Sequence, residues 1–259
     1  MNQDERRRFL IETLLRERPC DSRRPLPAEP GLQKQMLRAL VNIRPPAAVS
    51  RTFLEVQDAY LQEELAARGI TRLSDLPPAR DGLRLWRGDI TTLECGAIVN
   101  AANSGMTGCY QPCHTCIDNC IHTFAGVQLR LACAGLMERQ GHAEPAGQAK
   151  ITPAYNLPCR YVIHTVGPIV QGALTRQHCD QLESCYRSCL HLADENGVDS
   201  IAFCCISTGV FRFPHDRAAE IAVRTVRAYK AETGSRIEVI FNVFTGQDEA
   251  LYRQLLGAD

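Results

Sequence analysis

"SIAFCCISTGVFRFPHDRAAEIAVRTVRAYKAETG", residues 200–234, decides how the fold is read. Its opening, "SIAFCCIST" (200–208), is apolar without alternation, the pattern of a strand covered on both faces. Pro214 suits the first turn of the helix that follows, because proline has the helical φ and no N–H to leave unpaired. A buried strand, a short loop and a helix make one half of a parallel crossover.

The same alternation extends in both directions. "LRLWRGD" (83–89), "GAIVNAA" (96–102), "RYVIHTVG" (160–167) and "RIEVIFNVF" (236–244) read as further strands. Helices are expected from about Asp118 to Arg139, over 177–197 and over 248–257. Strands alternating with helices imply an α/β fold, with helices on both faces of a largely parallel sheet. Ligands in such sheets sit at the carboxyl ends of the strands.

Residues 1–80 differ. "DERRRFLIETLLRER" (4–18), "GLQKQMLRALVNI" (31–43) and "VSRTFLEVQDAYLQEELAARG" (49–69) read as three helices, the third with Val49, Phe53, Val56 and Tyr60 at helical spacing and Gly69 as its C-cap. "PCDSRRPLPAEP" (19–30), with four prolines, reads as a loop. No catalytic signature lies here, so this stretch is expected to be a helical N-terminal extension docked on a main domain at 82–259.

Composition narrows the function. Lys+Arg and Asp+Glu both number 29, so the formal net charge is zero. No long-range pull toward nucleic acid or an anionic membrane is expected. No window approaches 18 apolar residues, and the charged opening "MNQDERRRFL" is unlike a secretory leader, so a cytoplasmic protein is expected. There the 13 cysteines would stay reduced. Nine of them, from Cys20 to Cys205, are scattered among apolar residues and read as small buried hydrophobes.

The other four fall in "GCYQPCHTCIDNCIH" (108–122): Cys109, Cys113, Cys116 and Cys120, with His114 and His122. Cys109, His114 and Cys116 form C-x4-H-x-C, a sulfur and nitrogen set suited to zinc. "CHTC" is also a C-x-x-C, which can cycle as a redox dithiol. Spacing alone does not separate an open three-ligand site from a closed four-thiol one. Asp118, at the start of the expected helix, suits an N-cap and equally a catalytic carboxylate. His164 in a strand reads as a buried, hydrogen-bonded histidine, and Lys150 as a loop contact.

Three loops after strands carry further polar chemistry. "GDIT" (88–91) offers Asp89. "NAANSGMTG" (100–108) offers Asn100 and Asn103 among small residues that let a ligand approach the backbone. "STGVFRFPHD" (207–216) places Ser207, Thr208 and Gly209 before a helix, where outward N–H groups can cradle phosphate without lysine. Phe211 and Phe213 there either plug the core or stack on a ligand.

"GDIT", "NAAN", "IDNCIH", "AKITPAYNLPCRYVIHTVGP" and "ISTGVFRFP", in that order, resemble a macrodomain, the ADP-ribose-binding module, over residues 82 to about 256. The resemblance implies a three-layer α/β/α fold with a mixed, largely parallel sheet. It also implies roles: Asp89 and the Ile90 backbone at adenine, Asn103 at the distal ribose, and the 207–211 loop (Ser207, Thr208, Gly209, Val210, Phe211) at the diphosphate, with Phe244 against adenine. Asp118 would lie near the scissile ribose. The Cys…His-x-Cys set before "IDN" departs from the glycine-rich stretch of ordinary macrodomains. It resembles the zinc-containing subclass, some encoded beside sirtuin-type ADP-ribosyltransferases, which removes ADP-ribose from proteins. That implies one Zn2+ per chain, a mono-ADP-ribosylated protein as substrate, ADP-ribose as product, and hydrolysis at the distal ribose. A non-hydrolytic reader of ADP-ribose with a structural zinc is the alternative expectation.

Overall fold

The computed structural model describes residues 1–18 and 25–257. The loop expected at 19–30 and the buried reading of Cys20 lie partly or wholly outside the described residues. Eight helices and eight strands follow in chain order among those described: α1 (Gln3–Arg16), α2 (Pro30–Ile43), α3 (Arg51–Arg68), β1 (Thr71–Arg72), β2 (Leu83–Arg87), β3 (Leu93–Glu94), β4 (Ala97–Ala101), α4 (Ile117–Ala125), α5 (Val127–Gln140), β5 (Ala149–Pro153), β6 (Tyr161–Thr165), α6 (Arg176–Glu195), β7 (Ser200–Phe203), α7 (His215–Thr233), β8 (Glu238–Val243) and α8 (Gly246–Leu256).

Six strands form one sheet in the order β2-β8-β7-β4-β6-β5. All neighbours are parallel except β5, which runs antiparallel to β6 at the edge. β1 and β3 make a separate two-stranded pair. The chain moves one way across the sheet from β4 to β6 and the other way from β6 through β7 to β8. Right-handed crossovers therefore put α4 and α5 on one face and α6 and α7 on the other. The reversal leaves a crevice between the carboxyl ends of β4 and β7, the usual ligand position in such sheets. The central strands are inaccessible on both faces: Ala97, Ile98, Val99, Ile201, Ala202, Val239 and Ile240 are all 0% exposed.

Several expectations need correction. The single helix expected from Asp118 to Arg139 is two helices, α4 and α5, meeting at a 112° bend. Gly126 makes the bend with φ 98°, a conformation L-residues rarely adopt. The "AKIT" segment is strand β5, so Lys150 sits in an edge strand, its Nζ 3.0 Å from Glu144. Pro214 is the N-cap of α7, not a residue of its first turn. Val49 precedes α3, whose N-cap is Ser50. No single described helix is long and apolar enough to cross a membrane.

The extension has its own small core of Leu10, Ile11, Leu14, Leu15, Leu37, Leu40, Phe53 and Tyr60, joined by Val127 of α5. α2 lies against α4, which brings the extension to the loop that carries the cysteine cluster.

Candidate functional site

Parallel strands bring their carboxyl ends to one edge, so the loops singled out in the sequence converge there. After β2, the Asp89 side chain caps a 3-10 turn by accepting from the Thr91 N–H at 2.9 Å, and Ile90 is buried beneath it. The second Asp89 oxygen lies 3.2 Å from Arg68 of α3. Arg68 also stacks over the Phe124 ring at 3.8 Å. Half of Asp89 therefore stays open to solvent while an arginine from the extension orients it.

After β7, the chain turns through Ser207 (φ 65°) and Arg212 (φ 57°). The carbonyls of Ser207, Gly209 and Phe211 accept from Phe213, Arg212 and Val170. Among the described residues, the N–H groups of Ser207, Gly209, Val210 and Phe211 donate to no protein acceptor. Successive free amides in such a loop form a concave anion site. Thr208 turns its hydroxyl inward to the Cys205 carbonyl at 3.0 Å. Of the two loop aromatics, Phe213 is 1% exposed and plugs the core, while Phe211 is partly open. Phe244, just beyond β8, is 82% exposed, an apolar ring left open to solvent.

After β4, the register pairs Asn100 with His164 of β6. The Asn100 amide donates to Asp118 Oδ1 at 2.8 Å and lies 3.1 Å from His164 Nδ1. An amide NH2 only donates, so His164 Nδ1 accepts and Nε2 carries the proton toward Thr152 Oγ1, 2.9 Å away. Burial drops the His164 pKa to about 3, which keeps this tautomer neutral. Asn103 Nδ2 donates to the Gly108 carbonyl at 3.1 Å and to Asp118 Oδ2 at 3.3 Å. Both Asp118 oxygens are therefore held by asparagines. Burial raises the Asp118 carboxyl to about 6, against the pull of Asn100, Arg130 and Asn103. The helix is not capped by Asp118: the N-cap of α4 is Cys116, whose Sγ accepts from the Asn119 N–H at 3.4 Å.

Cys109, His114 and Cys116 bring Sγ, a ring nitrogen and Sγ within 4.8 Å of one another. Cys109 Sγ lies 3.6 Å from His114 Nδ1. A tetrahedral ion with ordinary sulfur and nitrogen bond lengths spaces these donors by about 3.6 Å. Burial pushes Cys116 up to about 12, so ionising it there calls for a cation beside it. The set fits a borderline-soft divalent cation. Cys113 and Cys120 stand outside this group: Cys113 Sγ points to the Gln35 carbonyl and Cys120 Sγ toward Arg38. All cysteines among the described residues are free thiols.

His122, Cys133 and His164 form a second compact group. Both His164 nitrogens are already engaged, and His122 packs its ring on Gly108, where a Cβ would sit 2.8 Å from the ring. This group is buried packing. A groove of about 590 Å³ lies elsewhere, lined by Val49, Leu54, Leu131, Leu136 and Tyr155 among others. It is apolar and holds none of the converging polar groups, so the crevice between β4 and β7 is the better candidate site.

Sequence reading missed the supports of this site. Asn100 was seen only as part of a small-residue loop, and Arg38, Arg68 and Arg130 carried no local signal.

The Macro domain family model matches residues 99–222. A protein-ADP-ribose hydrolase of Treponema medium is 61% identical over 260 residues, covering 99% of this chain and 100% of the relative. A Fusarium oxysporum f. sp. cubense protein named a probable bifunctional ADP-ribose hydrolase/ADP-ribosyltransferase is 41% identical over 242 residues, 86% of this chain and 40% of that one. The Trypanosoma brucei macrodomain, solved in complex with ADP-ribose, superposes with a TM-score of 0.65 at 30% identity, covering 85% of this chain and 95% of that one. The fold is that of an α/β module with helices beside a mixed, largely parallel sheet. The chain belongs to the macrodomain family.

Proposed function

We propose that this chain is a zinc-dependent protein-ADP-ribose hydrolase. It cleaves the bond between the distal ribose of a single ADP-ribose and a protein side chain. One observation carries the reading: the metal-donor triad and the Asn103–Asp118 pair follow β4, the free amides of Ser207, Gly209, Val210 and Phe211 follow β7, and these two strands are parallel neighbours with their carboxyl ends at one edge of the sheet. The hydrolase names of the relatives support it.

The substrate then lies along the strand ends. Adenine sits against Asp89, the Ile90 backbone and Phe244. The diphosphate takes the N–H groups of Ser207, Gly209, Val210 and Phe211, with Thr208 shaping the loop. Asn103 and Phe211 orient the distal ribose beside Asp118. Cys109, His114 and Cys116 hold one Zn2+. When bound, zinc supplies Lewis acidity for a ribose hydroxyl, the leaving oxygen or water. In hydrolysis the anomeric carbon gains a hydroxyl from water, and the side chain leaves with the bonding electrons and gains the proton. Asp118, held on both oxygens, is placed to carry that proton.

The name of the fungal relative joins hydrolase and transferase, which supports pairing this chain with an ADP-ribosyltransferase, of the sirtuin type on the resemblance. The free thiols agree with a cytoplasmic setting.

The deciding experiment is release of ADP-ribose from a mono-ADP-ribosylated protein, with zinc-replete enzyme compared with enzyme stripped by chelator. Activity that is lost on stripping and returns with zinc is the expected result. Full activity without metal overturns the catalytic zinc and leaves Asp118 as the centre. Binding of ADP-ribose without any release makes the chain a reader module.

A further inference from the structure

The loop that holds Cys109, His114 and Cys116 is poorly supported from within. Cys113 adopts φ 54°, a conformation strained for a residue with a Cβ, next to Pro112. The loop makes few backbone bonds of its own, one from His114 N to the Gln111 carbonyl at 3.3 Å. Its firmest contacts come from α2 in the N-terminal extension. Arg38 Nη2 donates to the His114 carbonyl at 2.8 Å and to Asn119 Oδ1 at 3.1 Å. Asn42, 1% exposed, accepts the N–H of Cys113 at 2.9 Å and donates to Thr123 Oγ1 at 2.8 Å. Asn119, held by Arg38, reaches back to the Gln111 carbonyl at 3.0 Å.

α2 is itself fixed to the main domain at its C-terminal end. Arg130 Nη1 of α5 donates to the carbonyls of Val41, Asn42 and Arg44 at 3.1, 2.7 and 2.6 Å. A cation at helix-end carbonyls is electrostatically favoured. The same guanidinium lies 4.2 Å over the ring of Tyr110, the neighbour of Cys109. One helix thus reaches both sides of the donor set, through the backbone of His114 and Cys113 on one side and through Arg130 and Tyr110 on the other.

We infer that α2 is part of the metal centre, with Arg38 and Asn42 as positioning residues that hold the donor loop in its binding geometry before the cation arrives. Outer groups that orient ligands govern metal affinity, and a preset loop loses less entropy on binding. The extension then serves a purpose beyond covering the main domain. The inference rests on the zinc reading above.

The test is zinc affinity measured by competition with a chromophoric chelator, together with the cobalt(II) absorption spectrum and the melting temperature of the metal-free protein. Asn42→Ala and Arg38→Ala should weaken zinc binding about 10- to 100-fold. The cobalt spectrum should lose intensity in its thiolate bands. Lys34→Ala, on the exposed side of the same helix, should change neither. Arg38→Gln keeps the packed stem and one donor, and it gives an intermediate affinity if Arg38→Ala proves unstable. Variants that melt earlier yet bind zinc as tightly as the parent overturn the inference and leave α2 a mere docking helix. A parent protein that binds no zinc overturns the metal reading itself, which separates the two failures.

Discussion

The side-chain amide of Asn100 lies 2.8 Å from Asp118 Oδ1, donated from a residue that is 0% exposed in the centre of the sheet. A strand residue thereby sets the orientation of a carboxylate on a helix start. Strand β4 is locked by its pairing with β6, so the amide has little freedom to follow Asp118 elsewhere.

Replacing Asn100 by alanine removes that donor and leaves His164 Nδ1 without its partner. We expect kcat for ADP-ribose release to fall about 10- to 100-fold, and stability to fall by about 1–3 kcal/mol from the buried acceptors left unpaired. ADP-ribose affinity should change little, since Asn100 is not at the surface. Isothermal titration beside steady-state kinetics separates the two effects; a large loss of affinity with kcat intact would contradict the positioning role.

The four clustered cysteines divide by geometry. Cys109 and Cys116 share the donor group with His114, and Cys113 and Cys120 point away from it. Cys109→Ser, His114→Ala and Cys116→Ser should each reduce bound zinc from about one per chain to well below it, as expected for loss of one of three protein ligands. Cys113→Ser and Cys120→Ser should retain it. Metal content by atomic emission decides, and zinc lost from Cys113→Ser would point to a closed four-thiol site.

Gly167 packs against the anion loop. A Cβ there would fall 2.0 Å from Ser207 Oγ and 2.8 Å from Ile206 Cγ2, so Gly167→Ala must shift these two side chains at the root of the loop. The expected result is weaker ADP-ribose binding, about tenfold or more for the disturbed amides, with zinc content unchanged. Equal affinity in parent and variant would count against a diphosphate held by this loop.

His164 predicts a pH dependence of stability. Its folded pKa of about 3 lies below the unfolded histidine value of about 6.5. The unfolded chain therefore takes up the proton first. The contribution of the neutral ring is complete above about pH 6.5 and is lost as pH falls toward 3. Urea midpoints at pH 7.5 and 5 should differ less in His164→Gln than in the parent. An unchanged slope would place the acid sensitivity elsewhere, with buried His122, whose pKa is also lowered, as the nearest source.

Much of this molecule is written in local pattern. Apolar runs such as "SIAFCCI" mark the buried strands, and their alternation with helices determines the doubly wound sheet. The post-strand loops follow from that, because parallel strands send their carboxyl ends to one edge. The cysteine and histidine spacing marked a candidate metal loop but left its donor set open between three ligands and four thiols; the structure is what draws Cys109, His114 and Cys116 together. The break in the 118–139 helix was signalled only by Gly126, one of two glycines in the stretch; the other, Gly135, lies inside α5.

What the tertiary structure alone decided is which distant side chains complete the site. Arg38, Asn42, Arg68 and Arg130 meet the metal loop or Asp89 across long stretches of chain, and Asn100 meets His164 only through strand register. Periodicity reports which face of an element is buried, and spacing reports what neighbours along the chain can share. Neither reports which helix docks on which loop, because that depends on how separately formed elements pack, and here α2 packs against α4 and so reaches the loop that carries the cysteine cluster.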